Sequence, residues 1–278
     1  MERLPLKFRM LAVMLAAVLL LTVLASQALT STGPERRTIT VFAAASLTDA
    51  FTEIAAAFED AHPDAAVTLH FAGSSTLAAQ LIEGAPADVF ASANERQMEA
   101  VIQAGRISSP AVAFAHNRLV LAVPVNNPAH IESLRDLAAP GVLLVLAAPG
   151  VPVREYTEQL LDRLAVRPGY GSAYRAAVMA NLVSEEPNVR QVVARLALGE
   201  ADAGIVYRSD VTADVADQIV ALPIPDSLNP TATYPIAVTA DSRQPALAQA
   251  FVDFVLGAEG QAVLSQWAFI SAEADGGR

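Results

Sequence analysis

The chain has 278 residues, of which 53% are hydrophobic and 17% are charged, and this composition excludes a disordered or fibrous protein. Cysteine is absent, which excludes disulfides, zinc–thiolate sites, iron–sulfur clusters and thiol nucleophiles. The 18 basic and 29 acidic side chains give a net charge of −11, which argues against a nucleic-acid partner. The length suits one large domain or two smaller ones.

The N-terminus has the pattern of an export signal. Three basic residues among the first nine precede an apolar run over 10–25, and the small residues of 26–28 have the spacing that a signal peptidase reads. We predict a signal peptide over 1–28, followed by a polar linker over 29–37. An uncleaved membrane anchor is the alternative, because the run is slightly long for a signal peptide and short of the ~20 residues of a spanning helix. Cleavage would change the net charge from −11 to −13.

Strands and helices alternate through the rest of the chain. Strands are predicted where β-branched and aromatic residues cluster or alternate, and helices where apolar residues recur every three or four positions. The predicted strands are 38–42, 67–71, 88–91, 118–124, 142–147, 203–207, 219–222 and 234–239. The predicted helices are 47–58, 74–82, 94–103, 131–137, 152–164, 172–181, 189–196, 245–256 and 258–267. This order indicates an α/β protein with two lobes, each a mostly parallel sheet flanked by helices.

Four strand-to-helix junctions carry groups that suit an anion. Hydroxyls occur at Ser46 and over 74–76, and helices begin after 150–152 and 187–188. Ligands bind beyond the carboxyl ends of strands in open α/β sheets, and helix N-termini offer free N–H groups with a positive dipole end. Each junction taken alone is also explained as an ordinary helix cap, and Ser46 with Asp49 has capping-box spacing. Their number is what predicts a small-anion site.

Other chemical apparatus is missing from the sequence. The four histidines have no metal-ligand spacing, and there is no nucleophile elbow, dinucleotide fingerprint or P-loop. Lys7 is the only lysine, so a lysine base or Schiff base is not available in the folded lobes. Arg154 and Arg190 follow two of the candidate amides. They either steer an anion by charge or lie on exposed helix faces, and replacing either by alanine is expected to change affinity by less than ~1 kcal/mol.

Four segments, in this order, resemble the periplasmic molybdate-binding proteins of ABC importers. They read TVFAAASLT (40–48), FAGSSTL (71–77), GAPADVFASA (84–93) and GIVYRSD (204–210). The resemblance implies the bilobal periplasmic-binding-protein fold with a ligand cleft between the lobes. It places lobe one at 38–117 plus 235–272 and lobe two at 118–234, with hinges near Asn117–Arg118 and Tyr234–Pro235, where the chain crosses between them.

The resemblance also implies which residues contact the ligand. They are the hydroxyls of Ser46, Ser74 and Tyr207 and the backbone N–H groups of Val153 and Val189. Two departures concern this set. Gly73 stands where the family often has serine, a change that we expect to be tolerated. The loop at Val153 differs from the family pattern, because alanine and then glycine are usual where Val153 and Arg154 stand.

The function implied is that of an exported solute-binding protein, not an enzyme. It captures molybdate or tungstate and delivers the oxyanion to the membrane permease of an ABC importer. We expect a monomer with no cofactor, no free metal cation and no nucleic-acid partner. Its location is periplasmic, or extracytoplasmic and membrane-anchored if the N-terminal segment is retained. The alternatives are a binder of sulfate or another tetrahedral oxyanion, an enzyme on the same scaffold, and the ligand-sensing domain of a regulator.

Overall fold

The computed structural model describes residues 36–272, so the predicted signal peptide or anchor over 1–28 lies outside the described residues. The strands are β1 (Arg37–Ala44), β2 (Ala65–Ala72), β3 (Val89–Ala91), β4 (Val112–Pro124), β5 (Leu144–Ala147), β6 (Leu182–Glu186), β7 (Ala203–Tyr207), β8 (Ile219–Pro223), β9 (Thr231–Val238) and β10 (Ile270–Ser271). The α-helices are α1 (Thr48–Ala61), α2 (Ser74–Ile82), α3 (Glu95–Gln103), α4 (Pro152–Ala165), α5 (Tyr174–Ala180), α6 (Val189–Ala197), α7 (Pro245–Leu256) and α8 (Ala258–Gln266).

The strands follow one hydrogen-bonded path, in the order β2-β1-β3-β9-β4-β7-β5-β6, and β8 and β10 also pair with β4. The long strand β4 divides this path. Up to Arg118 it pairs with β9, and from Leu119 onward it pairs with β7 and β8. We call the elements on the β9 side the first lobe and those on the β7 side the second lobe. The residue limits predicted for the lobes stay a prediction, which this division supports.

The sheet is mixed rather than mostly parallel. The outer strands agree with the prediction, because β1 runs parallel to β2 and β3, and β5 runs parallel to β6 and β7. The central pairs β3–β9, β9–β4, β4–β7 and β4–β8 are antiparallel. The physical reason is the chain path: it leaves the first lobe along β4 and returns along β9, so these two strands run in opposite directions.

Apolar faces fix the helices against both sides of the first-lobe sheet. On one side, α1 and α7 bring Phe51, Phe58 and Phe251 together, with the Phe58 and Phe251 ring centroids 5.3 Å apart. On the other side, α2 and α3 bury Leu77 and Met98 in a separate apolar cluster. Burial of such side chains stabilises a fold by roughly 1.5–3 kcal/mol each. These two layers hold the N-terminal ends of α1 and α2 at the edge of the sheet.

Local signals in the sequence explain where the helices of the site begin. Asn188 Oδ1 accepts the Gln191 N–H at 3.1 Å and caps α6, as Asn94 does for α3. Pro152 is the first residue of α4, where its missing N–H is harmless. The predicted helix over 131–137 is only a 3-10 turn (Leu134–Ala138), and β6 and β10 were not predicted.

Among residues 36–272, no single helix is long and apolar enough to cross a membrane. The bent pair of α7 and α8 meets that criterion together, by length and composition only.

Candidate anion-binding site

A small cavity lies between the two lobes, at the ends of several strands and helices. The centre of a water molecule could occupy a volume of about 10 Å³ inside this cavity, which suits one small molecule. The first lobe contributes Ala44, Ala45, Ser46, Gly73, Ser74 and Ala93, and the second contributes Val151, Pro152, Val153, Asn188, Val189 and Tyr207. The structure therefore brings all five predicted site residues into the wall of one cavity. Their contact with an oxyanion stays a prediction.

The two serines of the cavity wall are each hydrogen-bonded to a neighbouring group. Ser74 is the first residue of α2, and its Oγ accepts the Ala93 N–H at 3.0 Å. Ser46 lies in the 3-10 turn after β1, with its Oγ 3.0 Å from the Tyr234 hydroxyl. A serine hydroxyl has one proton and two lone pairs. Because Ser74 Oγ accepts a hydrogen bond, its own proton is left for the cavity. Ser46 has the same capacity when the Tyr234 hydroxyl donates to it.

The two valines bring backbone donors to the opposite wall. Val189 and Val153 are the first residue of α6 and the second residue of α4. First-turn N–H groups have no acceptor inside their own helix, and the dipole makes that end positive. Both valine side chains are buried in the core. The Asn188 side chain is engaged with Gln191, so it does not occupy the Val189 N–H.

Tyr207 ends β7 and offers a third hydroxyl. It is 1% exposed, and among residues 36–272 no group forms a hydrogen bond with its Oη. Burial raises the pKa of Tyr207 well above its ordinary value, and the neighbouring Tyr234 acts in the same direction. The phenol therefore stays protonated and remains a donor at physiological pH. A buried hydroxyl without a partner is unfavourable by roughly 1–3 kcal/mol, which supports the prediction that this group donates to a ligand.

Tyr234 supports two residues of the cavity wall, and the sequence indicated it only as the start of a strand beside a hinge. Its hydroxyl contacts Ser46, and its ring centroid is 5.8 Å from that of Tyr207. Burial raises the pKa of Tyr234 well above its ordinary value, so it too remains a donor. Ser46 and Tyr234 are 188 positions apart, and no local pattern indicates such a contact.

An ion cluster crosses the cleft beside the cavity. Arg190 donates to the carboxylate of Asp49 in α1, and its Nε lies 3.4 Å from Asp210 Oδ1. Asp210 is fully buried, and its Oδ2 accepts the Tyr207 N–H at 3.1 Å. Burial raises the pKa of Asp210 to about 7, while Arg190 acts in the opposite direction. The capping-box interpretation is wrong, because Ser46 contacts Tyr234 and Asp49 binds Arg190.

Arg154 has no part in the cavity wall either. Its side chain is 6% exposed, and it lies 3.0 Å from Glu158 and 2.8 Å from Glu185. It also donates to the Ala147 carbonyl at 3.0 Å. The exposed-face alternative is wrong, because the Arg154 side chain is 6% exposed and that of Arg190 is 25% exposed. Steering of the anion by either charge stays a prediction. Both guanidinium groups are bound to carboxylates.

Two side chains of the first lobe reach across to the second. Asn94 Nδ2 donates to Glu155 Oε2 at 2.9 Å, and Gln97 Nε2 donates to the Gly150 carbonyl at 3.0 Å. The sequence indicated Asn94 only as a helix cap. These bonds adjoin the cavity residues Ala93 and Val151, so they hold the lobes together next to the cavity.

The donor set decides what the cavity can hold. The residues that line it include three with hydroxyls and the first-turn residues of two helices, and no group of three or more His, Asp or Glu within residues 36–272 is placed to hold a metal ion. Hydrogen bonds to charged acceptors are worth roughly 1.5–3 kcal/mol each. An anion with several oxygens matches such a wall, whereas an O–H on the ligand would face another donor.

Comparisons with known proteins agree with this architecture. The family described as bacterial extracellular solute-binding protein matches residues 39–270. The molybdate-binding protein ModA of Mycobacterium tuberculosis (strain ATCC 25618 / H37Rv) is 39% identical over 246 residues, which is 88% of this chain and 89% of that protein.

Two solved structures share the fold. The periplasmic molybdate-binding protein of Azotobacter vinelandii has a TM-score of 0.71 at 21% identity and covers 84% of this chain and 98% of its own. The sulfate-binding protein SubI of Mycobacterium tuberculosis H37Rv has a TM-score of 0.74 at 19% identity. The match covers 86% of this chain and 88% of that protein. At these identities the likeness concerns the fold alone.

Proposed function

Because the chain belongs to the bacterial extracellular solute-binding protein family, we propose that it captures molybdate or tungstate between its lobes and delivers it to an ABC importer. The observation that carries this proposal is the small cavity whose wall combines donors from both lobes. Ser46 and Ser74 face it from the first lobe, and Val153, Val189 and Tyr207 from the second. The relative of 39% identity named molybdate-binding supports the same ligand.

Neutral donors are sufficient to hold a dianion here. An enclosed oxyanion loses its hydration, which is costly unless its oxygens receive hydrogen bonds. Hydroxyls and N–H groups supply such bonds without a counter-ion. The protein's negative net charge opposes binding only weakly, because charges beyond ~8–10 Å are screened at physiological salt.

Sulfate is the second candidate. It also carries no proton at neutral pH, so a wall of donors accepts it as readily as molybdate, and the sulfate-binding structure has the same fold. Phosphate is disfavoured, because it retains an O–H at neutral pH. The separation of sulfate from molybdate therefore rests on the size of the cavity.

The rest of the proposal follows from the family. The protein acts outside the cytoplasm, as a periplasmic protein or one anchored by its N-terminal segment, and its membrane partner is a permease. It performs no reaction on the ligand and requires no cofactor. Turnover of a bound oxyanion would contradict this.

The test is a titration of the purified protein lacking residues 1–28 with molybdate, tungstate and sulfate. A ligand that binds only the folded state stabilises it by about 2.7 kcal/mol when the ligand concentration is about 100 times its Kd. This stabilisation raises the melting temperature. Molybdate and tungstate should raise the melting temperature strongly, and sulfate far less at matched concentration. Equal stabilisation by sulfate would assign the protein to the sulfate binders, and no shift with any of the three would contradict the proposal.

A further inference from the structure

Gly73 lies at the cavity wall between β2 and α2, in a conformation that does not require glycine. Its φ is −59° and its ψ is 136°, values that any L-residue adopts readily. Its carbonyl accepts the Leu77 N–H at 3.1 Å, the first bond of α2. The reason for a glycine here is therefore not the backbone of its own lobe.

The second lobe approaches Gly73 closely. A Cβ atom at this position would lie 2.5 Å from the Pro187 carbonyl oxygen and 3.7 Å from Asn188 Cβ. Real Cβ atoms essentially never come within 3.0 Å of another heavy atom. Because the obstructing atom belongs to the backbone, it cannot turn away as a flexible side chain would.

Both sides of this contact are fixed by local structure. Asn188 caps α6 through the Gln191 N–H, and the proline ring holds φ at residue 187. On the first lobe, Gly73 leads directly into α2. A side chain on Gly73 would therefore move one lobe against the other rather than displace a loop.

We infer that Gly73 sets how closely the two lobes approach at the cavity, and thereby the size of the oxyanion that all the donors can reach together. This inference rests on the proposed function. Restoring ordinary van der Waals distance from 2.5 Å requires the lobes to separate by about 1 Å. Hydrogen bonds lengthened by that amount are no longer formed, so donors of one lobe would lose the ligand.

The experiment compares the parent with Gly73→Ala by calorimetric titration with molybdate and with sulfate. Molybdate affinity should fall by about tenfold or more, as expected when one hydrogen bond to a charged group is lost. Sulfate is the smaller anion because its bonds to oxygen are shorter, so its affinity should fall further. The ratio of molybdate to sulfate affinity should therefore rise. Thr76→Ala, an exposed change in the first turn of α2, is the control and should leave both affinities unchanged.

Thermal unfolding without ligand distinguishes an effect of the substitution on lobe closure from an effect on the stability of the fold. The melting temperature of Gly73→Ala should equal or exceed that of the parent, because alanine restricts the unfolded chain and fits this conformation. A fall would show that the contact supports the fold itself and would overturn the inference. Gly73→Ser carries the same Cβ and provides a second variant.

The possible outcomes distinguish the two proposals. A parent that binds none of the oxyanions would overturn the proposed function together with this inference. A parent that binds molybdate, with Gly73→Ala equal to it in affinity and in the molybdate-to-sulfate ratio, would overturn this inference alone.

Discussion

The hydroxyl of Tyr207 can be tested by a substitution that removes a single oxygen atom. It is buried in the cavity wall, it has no hydrogen-bond partner among residues 36–272, and its raised pKa keeps the proton in place. The backbone N–H of the same residue is already bound to Asp210. The phenol is therefore the group of Tyr207 that we expect a ligand to contact.

We predict that Tyr207→Phe weakens molybdate binding by ~1.5–3 kcal/mol, or roughly 10- to 150-fold, because one ligand oxygen loses its donor in a closed cavity. Unfolding of the unliganded variant should need no less free energy than the parent, since the lost hydroxyl had no partner in the protein. Isothermal titration calorimetry and urea unfolding measure both quantities. Tyr170→Phe, a change outside the cavity in the second lobe, is the control. Parent-like affinity in Tyr207→Phe would remove the tyrosine from the site.

At the scale of elements, the two arginines that follow the helix starts have different partners. Arg190 joins α6 of the second lobe to α1 of the first through Asp49. Among residues 36–272, the groups that Arg154 binds belong to its own lobe: Glu158, Glu185 and the Ala147 carbonyl. We therefore keep the expectation that replacing Arg154 by alanine changes affinity by less than ~1 kcal/mol. For Arg190 we expect a larger effect.

We predict that Arg190→Ala weakens molybdate binding by about 1–2 kcal/mol, roughly 5- to 30-fold, because a contact that closes the cleft is lost. Arg154→Ala should instead lower the free energy of unfolding by about 1–2 kcal/mol and leave affinity within about twofold. Calorimetry and urea unfolding on both variants test the contrast. Asp49→Asn weakens the same contact from the first lobe and leaves Arg190 beside Asp210. Unchanged affinity in both Arg190→Ala and Asp49→Asn would show that the ion cluster does not hold the lobes together.

For the whole molecule, Asp210 makes stability depend on pH. Its pKa is raised by burial to about 7 in the folded state, against an ordinary value of 3.8. Between these values the folded protein holds a proton that the unfolded chain releases. The free energy of unfolding of the unliganded protein therefore falls, on this account, as pH rises from about 4 to about 7. Above this window both states are ionised, and the full unfavourable contribution is present.

Asp210→Asn cannot titrate, so its unfolding free energy should vary less over this window. The slope difference from the parent should be at most about 1.4 kcal/mol per pH unit. Urea unfolding at several pH values measures it. Asp64→Asn is the control, because Arg37 holds the pKa of Asp64 below its ordinary value, outside the window. Parallel curves for the parent and Asp210→Asn would show that Asp210 does not titrate in this range.

Local patterns were enough to place most helices and strands. Asn188 and Pro152 mark the starts of α6 and α4, because caps and first-turn prolines act within a few residues of the helix they begin. All five predicted site residues lie at strand or helix ends in the wall of one cavity, and three of them, Ser46, Ser74 and Tyr207, belong to the motifs quoted above. Their contact with a ligand stays a prediction. β6 and β10 were missed, because such short strands depend on their partners in the sheet and have little pattern of their own.

The sequence by itself determined the α/β alternation, the resemblance to molybdate-binding proteins and the choice of predicted donor residues, since each of these depends on contiguous segments. Only the tertiary structure decided which distant residues meet, within the first lobe or across the cleft. Ser46 meets Tyr234, Arg190 meets Asp49, and Pro187 meets Gly73 through pairs far apart in the chain. The antiparallel centre of the sheet has the same origin, because the direction in which β9 returns beside β4 is a property of the folded chain. Contacts of this kind depend on how the folded chain packs, and the spacing of residues along the sequence does not encode them.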